Sequence, residues 1–273
     1  MKKGAKIAAC IAAAIAFLGG AGFYLSQTVI KYKMISYKFP YLLEESALYK
    51  SYPYADTEVP DEFRECSVKG IDFKAPDGLF WMYPDATDDV RSGILVDNDD
   101  ISKRELLICV MDKEEPVYPD STGFKALGFF DKRMNKGLKK LGYEPAENYH
   151  DMMFAANTFR LEKCNMFSPS EVNAAYKLML FKGIMMPASY SVDGVEGSFE
   201  TTGSSKEKHY YYDNGNMRSF VTESANKNGA YELDLEVYDV NDLNSWQNVM
   251  IISKDPELAR QIAKTIDIAE DTE

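Results

Sequence analysis

Residues His209–Val221, with the sequence HYYYDNGNMRSFV, decide the fold class of this chain. The dipeptide Asn214-Gly215 separates two runs of strand-forming residues, and it favours the two-residue turn of a β-hairpin. A second stretch, Tyr231–Val237, alternates apolar side chains with Glu and Asp. That alternation predicts a strand with one buried face and one face in water. We therefore predict an antiparallel meander from Tyr190 to Ser253, with these two stretches at its centre.

Further strands are predicted before this meander and at its end. Apolar residues alternate from Cys66 to Phe73, and Gly70 among them indicates a turn or bulge. Leu106–Met111 is apolar throughout, as expected for a central strand covered on both faces. Ile94–Val96 and Val249–Ile252 complete the set of predicted strands.

Three amphipathic helices accompany the strands. Apolar residues recur every three or four positions over Gly123–Leu141, which predicts the first helix. The second is predicted over Ser168–Gly183, with Pro169 in its first turn and Glu171 completing a capping box. The third is predicted over Asp255–Ile266, with an Asp-Pro start.

These elements predict the class of the folded part of the chain. Strands in a meander with helices against them indicate an α+β fold built on a mostly antiparallel sheet. We assign the elements to one domain covering residues 59–273. The periodicity of Glu144–Asn165 is ambiguous, so no element is predicted there.

The N-terminal segment differs from the rest of the chain. Ile7–Leu25 is an uncharged apolar run of 19 residues. As a helix it would be about 28 Å long, just enough to cross a bilayer core. We predict a transmembrane signal-anchor helix over residues 1–25, preceded by lysines that favour a cytoplasmic N-terminus. Residues 26–58 are predicted to form a juxtamembrane stalk with a short helix around Leu42–Lys50.

An alternative interpretation of the same segment is a signal peptide that is removed after export. Gly19 and Ala21 would supply the small residues that such a cleavage site requires. In the first case the main domain is extracytoplasmic and held at the cell membrane by a single span. In the alternative it is secreted.

The charge of the chain bears on its partners. The 273 residues include 31 Lys and Arg and 43 Asp and Glu, for a net charge of −12. Lys2, Lys3 and Lys6 are the only charged residues among the first 25, so the exported part carries 28 basic and 43 acidic residues and a net charge of −15. Such an acidic surface argues against nucleic acid as a partner.

No sequence motif for catalysis or for cofactor binding is present. The chain has only two histidines, His150 and His209, and it lacks the zinc-protease, P-loop and Gly-x-Ser-x-Gly patterns. A Cys164–His150 pair is conceivable for nucleophilic catalysis. Asp97, Asp99 and Asp100 could offer oxygens to calcium, but the EF-hand spacing fails. We therefore predict no catalytic residue, cofactor or metal ligand.

Aromatic residues supply the candidates for ligand contact. Exposed aromatic side chains mark contact surfaces. The candidates are Trp81, Tyr83, Tyr210 and Tyr212. Strand alternation places Tyr210 and Tyr212 on one face and Tyr211 on the other, so at least one of these faces is expected to be core.

Two stretches resemble a known family. Val68–Pro76, with the sequence VKGIDFKAP, looks like the opening strand of PsbP-like and DcrB-like extracytoplasmic domains, and the ending Val249–Ile266 is similar to their closing strand and helix. Together they cover about a tenth of the chain. The resemblance implies an α/β/α sandwich around an antiparallel sheet, in an envelope domain that serves as a binding or assembly module. The insert that contains the helix at Ser168, and the stalk, depart from a minimal member of the family.

The predicted function follows from the anchor and from the missing catalytic motifs. We predict a non-enzymatic, membrane-anchored module that binds a protein or surface ligand outside the membrane. Two alternatives stay open, an exported hydrolase with dispersed active-site residues and a carrier of a lipid or small molecule.

Overall fold

The computed structural model describes residues 16–53, 56–82, 92–113, 126–185, 207–225 and 229–269. The chain divides into two compact units. Among the described residues, unit 1 contains 16–44, 126–147 and 151–185, and unit 2 contains the remainder. Residues 26–44, which lie in the predicted stalk, group in unit 1 with helices that come much later in the chain.

Unit 1 is helical. Its N-terminal part is α1 (16–25), one π-helical turn (Ser26–Ile30) and α2 (Lys31–Lys38). The later helices are α3 (Lys132–Leu141), α4 (Tyr149–Thr158) and α5 (Pro169–Met185), and the first two residues of α4 belong to unit 2. Short 3-10 turns lie at Tyr41–Leu43 and Leu161–Lys163.

Helix α3 begins later than the sequence pattern predicts. Residues 126–127 are helical, but Gly128 adopts a φ of 64° and interrupts the helix. The side chain of Asp131 then caps a new start by accepting a hydrogen bond from the Met134 N–H at 2.6 Å. Gly142 ends the helix in the left-handed conformation, as predicted. Residues 123–125 of the predicted helix lie outside the described residues.

Helix α5 confirms the predicted element with a different cap. It begins at Pro169 and extends to Met185, two residues beyond Gly183. The predicted capping box is wrong in its partner, because Glu171 accepts from the Asn165 N–H at 2.9 Å rather than from that of Ser168. The ambiguous segment before it proves to be α4 and a 3-10 turn.

Among the residues that the structure describes, unit 2 contains two sheets. The larger has eight described strands, in the order β1-β7-β8-β9-β10-β6-β5-β4. All its neighbouring strands are antiparallel except β1 and β7. In chain order its strands are β1 (Lys50–Ser51), β4 (Phe80–Trp81), β5 (Ser92–Val96), β6 (Leu106–Met111), β7 (Lys208–Asp213), β8 (Met217–Ala225), β9 (Tyr231–Asp239) and β10 (Asp242–Ser253).

The smaller sheet has the order β11-β3-β2, formed by β2 (Arg64–Val68), β3 (Ile71–Ala75) and β11 (Asp267–Ile268). Positive φ angles at Lys69 and Gly70 make the tight turn between β2 and β3 that the sequence predicts. Helix α6 (Pro256–Lys264) begins behind the predicted Asp255 cap. The main core of unit 2 joins α6 and this small sheet to one face of the large sheet. We call the opposite face of the large sheet the second face.

The coarse fold prediction is therefore confirmed as α+β with a large, mostly antiparallel sheet. The predicted central strand is β6, which lies between β10 and β5 and is buried along most of its length. The short helix predicted around Leu42–Lys50 is wrong. The chain there forms 3-10 turns at Tyr41–Leu43 and Glu45–Ala47 and then β1, since Leu42 and Leu48 turn inward. Residues 190–206 of the predicted meander lie outside the described residues.

Within the part of the chain that the structure describes, no helix combines the length and apolarity needed to cross a membrane. Residues 1–15 of the predicted anchor lie outside that part.

Candidate functional site

The four predicted ligand contacts differ in accessibility. Trp81, on the edge strand β4, is 43% exposed. Tyr210 is buried in the core, and Tyr212 is partly buried against the same core. Both tyrosines make edge contacts with Tyr52, at 5.7 and 5.8 Å between ring centroids. Tyr83 lies outside the described residues.

These aromatic residues do not share a surface. Strands β4 and β7 are separated by five other strands of the large sheet, which places Trp81 about 29 Å from the tyrosines at a strand spacing of about 4.8 Å. Ligand contact by the four residues stays a prediction, but Trp81 and the β7 tyrosines cannot belong to one small site.

A row of carboxylates on β9 is the main polar feature of the second face. Glu232, Asp234 and Glu236 alternate with the buried residues Leu233 and Leu235, as the sequence pattern predicts. The pattern predicted a face in water, but all three carboxylates are partly buried. Strand β9 is an inner strand of the large sheet, so neighbouring strands flank these side chains on both sides.

Burial changes the protonation of this row. It raises the pKa of Asp234 to about 7, and the neighbouring charge of Glu232 adds to the effect. The pKa of Glu232 is raised for the same reason, with a smaller contribution from Glu207. A carboxyl group with a pKa near 7 can hold or release a proton at neutral pH, which is the property that general acid–base chemistry uses.

One histidine lies in the same cross-strand row as Asp234. His209 pairs in register with Thr222, and Thr222 pairs with Asp234. The His209 Nδ1 is 3.2 Å from the Thr222 Oγ1, and the ring stacks on Tyr49 with centroids 5.0 Å apart. Two strand spacings, about 9.6 Å, separate the backbones of His209 and Asp234, and Thr222 lies between them in the row.

The row continues toward β6 with apolar and thiol groups. Met250 pairs with Asp234 on one side and with Cys109 on the other. Burial raises the pKa of Cys109 to about 11, so its thiol stays protonated at neutral pH. Cys109 is buried, as the sequence predicted for a small apolar residue in β6.

The proposed cysteine nucleophile has unsuitable chemistry. Burial and the Glu171 carboxylate raise the pKa of Cys164 to about 12, whereas nucleophilic cysteines have lowered values. His150 is buried and lies in an aromatic cluster, stacked on Phe220 at 5.1 Å and in edge contact with Tyr238 at 5.2 Å. Cys164 belongs to unit 1 and His150 to unit 2.

Two of the three calcium candidates, Asp97 and Asp100, accept local hydrogen bonds through their carboxylates. Asp100 accepts from the backbone and the side chain of Ser102, at 3.0 and 2.7 Å. Asp97 accepts from the Glu105 N–H at 3.1 Å. Among the residues described, no three His, Cys, Asp or Glu side chains are grouped to hold a metal ion.

Glu223 forms a buried ionic cluster that the sequence does not indicate. Its Oε1 accepts from the Lys208 Nζ at 2.8 Å and lies 3.6 Å from the Arg260 guanidinium. Arg260 also donates to the Tyr231 hydroxyl at 3.1 Å. The cluster joins β7, β8 and β9 to α6. The strand register and the packing of α6 on the sheet bring these side chains together, which explains why sequence patterns missed them.

In unit 1, the most unusual surface is that of α1. Its residues 16–25 are uncharged, and its large side chains are exposed, with Phe17 at 75% and Phe23 at 69%. At 100° per residue, Phe17, Leu18 and Phe23 point in three widely separated directions around the axis. The helix is therefore apolar on all sides and exposed on all sides.

From residue 26 onward, some side chains of the N-terminal helices are buried. Thr28 and Ile35 are buried, and the Lys31 Nζ bonds the Asn173 side chain of α5 at 2.7 Å. Lys31 also lies over the Tyr176 ring, 4.8 Å from its centroid. The N-terminal helices thus pack on α5 from this point onward. In α1 itself, the Tyr24 hydroxyl at its C-terminal end donates to the Phe167 carbonyl.

No protein-family model and no curated protein matches this chain.

Proposed function

We propose that this protein is a membrane-anchored, extracytoplasmic module that binds or assembles with a partner at the cell envelope. The observation that carries the proposal is the exposure of α1. A helix that is apolar on all sides belongs inside a protein core or a bilayer. Each large apolar side chain left in water forgoes about 1.5–3 kcal/mol of transfer free energy. A bilayer around residues 7–25 removes that cost.

The orientation follows from charge. Lys2, Lys3 and Lys6 precede the apolar run, and this bias keeps the N-terminus in the cytoplasm. Residues 26–273 then lie outside the cytoplasm. Their net charge of −15, from 28 basic and 43 acidic residues, keeps them from adhering to anionic headgroups.

The binding role rests on the resemblance to PsbP-like and DcrB-like domains, and with it comes the proposed α/β/α layering of the sheet. Trp81 is the predicted contact that a macromolecular partner reaches most easily, since it is exposed on an edge strand. Edge strands also offer free backbone groups to a partner strand.

Extraction of the full chain from membranes tests the anchor. We expect the protein to stay in the pellet after alkaline carbonate washing and to enter solution only with detergent. The double substitution Leu18→Lys and Phe23→Lys should move it toward the soluble fraction, because a lysine in a bilayer core costs about 2.5–3.5 kcal/mol. Tyr37→Lys, at a position 87% exposed on α2, is the matched control and should stay in the pellet. Release of the unaltered chain by carbonate would contradict the anchor.

In-cell crosslinking of the anchored protein tests the binding role. We expect reproducible recovery of one envelope partner, and loss of its recovery when Trp81 is replaced by Ala in a chain that remains folded. Recovery of no partner, together with turnover of a chromogenic ester or peptide, would favour a hydrolase instead.

A further inference from the structure

The segment 161–168 runs alongside the N-terminal helices in unit 1. The Tyr32 hydroxyl donates to the Leu161 carbonyl at 3.3 Å, and the Tyr24 hydroxyl donates to the Phe167 carbonyl. Tyr24 and Tyr32 are eight residues apart, about 12 Å along the helix axis. Leu161 therefore lies at the level of α2, and Phe167 lies at the level of the last residues of the apolar run.

The end of this segment presents two consecutive large apolar side chains. Phe167 is 55% exposed and Met166 is 39% exposed. Local hydrogen bonds hold the backbone of this turn. The Asn165 side chain accepts from the Phe167 N–H at 3.0 Å, and the Asn165 carbonyl accepts from the Ser168 N–H at 2.9 Å. The Asn165 N–H in turn donates to Glu171 at 2.9 Å. The two side chains are thus held outward by a rigid turn rather than by a loose loop.

Charge distinguishes this turn from the rest of the surface. Residues 164–170, with the sequence CNMFSPS, contain no charged residue, and neither do residues 16–30 beside them. The first charges that follow or flank these stretches are Lys31 on α2, Lys163 on the segment and Glu171 on α5. Two uncharged stretches therefore lie side by side, at the end of unit 1 from which α1 projects.

We infer that Met166 and Phe167 form a second lipid contact, which enters the outer interfacial layer of the bilayer beside Tyr24. This inference rests on the proposed anchor, because α1 fixes the depth at which the turn meets the lipid. Aromatic side chains favour this layer, and an apolar surface there lies about 5–10 Å into the boundary between headgroups and acyl chains. The occupant of the surface is the bilayer itself, since the exposed turn continues the uncharged surface of α1.

Fluorescence quenching in proteoliposomes tests the inference. The full chain with Phe167→Trp is reconstituted in phosphatidylcholine vesicles with and without lipids brominated near the headgroup. The signal is the emission added relative to the unaltered chain, which corrects for Trp81 and Trp246. We expect brominated lipid to remove about half of that added emission, because the side chain lies within the interfacial layer.

Tyr37→Trp is the matched control. Tyr37 is exposed on α2 and lies 13 residues beyond Tyr24, about 20 Å farther from the bilayer along the axis. Its added emission should be unaffected by brominated lipid. Met166→Trp serves as a second probe, and circular dichroism and thermal unfolding identify any variant that fails to fold.

The outcomes separate this inference from the anchor. Unquenched emission from both turn probes, in protein that resists carbonate extraction, overturns the lipid contact and leaves the anchor intact. Equal quenching of the turn probes and of Tyr37→Trp overturns it as well, because the turn would then have no special depth. Extraction of the unaltered chain by carbonate overturns the anchor and this inference together.

Discussion

Glu223 and Arg260 form a buried ion pair, in which the guanidinium Nη2 lies 3.6 Å from the carboxylate Oε1. Only 6% of the Glu223 side chain and 19% of the Arg260 side chain are exposed. The pair links α6 to the strand β8. Lys208 of β7 lies 2.8 Å from the same carboxylate oxygen. The C-terminal helix is thus held to the sheet by charge as well as by its apolar face.

Replacement of Glu223 by Ala should lower the free energy of unfolding by about 3 kcal/mol, because it leaves the mostly buried Arg260 guanidinium with only the more exposed Glu257 carboxylate, 3.9 Å away, as counter-charge. Asp77→Asn is the matched control. It breaks the Arg64–Asp77 pair, which is shorter at 2.8 Å but has both side chains more than 60% exposed. That change should cost about 0–1 kcal/mol. Urea unfolding measures both values, and equal costs would contradict the role assigned to burial.

Because the pKa of Asp234 is raised, we expect the stability of the fold to fall as pH rises. Its pKa is raised from 3.8 to about 7, so the folded state keeps a proton that the unfolded chain releases. Stability should therefore fall as pH rises from about 4 to about 7, by up to about 1.4 kcal/mol per pH unit from this group. Glu232, whose pKa is also raised, adds to the same trend.

Asp234→Asn should flatten this slope and make the protein more stable than the unaltered chain at pH 8. The exposed Asp99→Asn is the control and should leave the slope unchanged. Urea unfolding across the pH range provides the slopes, and carboxyl NMR provides the pKa. A titration of Asp234 near pH 4 in the folded protein would rule out the effect.

Sequence patterns predicted the elements that depend only on residues close together in the chain. The Asp255-Pro256 helix start needs only neighbouring residues, and it is found. The hairpin that Asn214-Gly215 predicts is also found, but its turn lies one residue later, at Gly215-Asn216, because Asp213 pairs with Arg218 and the Asn214 N–H donates to the Met217 carbonyl at 3.2 Å. The pairing of Lys50–Ser51 with Tyr210–Tyr211 in parallel could not be predicted, because it joins segments about 160 residues apart. The burial of Asp234 likewise depends on strand pairing between segments that are far apart in the chain. Its alternation with Leu233 and Leu235 was visible, but the strands on either side of β9 determine its burial.

Lys182 should make the stability of unit 1 rise with pH, which is the opposite of the effect of Asp234. It is almost fully buried at the end of α5, where its ammonium donates to the Leu42 carbonyl at 3.4 Å. Burial lowers its pKa to about 8, so between about pH 8 and its ordinary value of 10.5 the folded state binds fewer protons than the unfolded chain. Stability should therefore rise with pH across this window.

Lys182→Met keeps the length of the side chain and removes the charge. At pH 7 the variant should be at least as stable as the unaltered chain, and that advantage should shrink toward pH 10.5 as the native amine becomes neutral in both states. Lys140→Met, at an exposed site on α3, is the control and should show no such trend. An advantage that stays constant from pH 8 to 10.5 would show that the ammonium carries no burial penalty.

A close contact between α3 and α5 in unit 1 determines the effect of a glycine substitution that helix propensity alone would misjudge. Gly137 of α3 faces α5 so closely that a Cβ at this position would lie 2.5 Å from the Ala174 Cβ and 2.5 Å from the Ser170 carbonyl oxygen. Alanine is the better helix former by about 1 kcal/mol, but the contact is with backbone and cannot yield without moving a helix. Gly137→Ala should therefore destabilise unit 1 by about 1–3 kcal/mol. Gly183→Ala is the matched control, because its nearest neighbour would be the Leu42 Cδ1 at an ordinary 3.4 Å. Thermal unfolding should show a lower midpoint for the first variant and an unchanged or higher one for the second, and the reverse order would refute the close approach of α3 and α5.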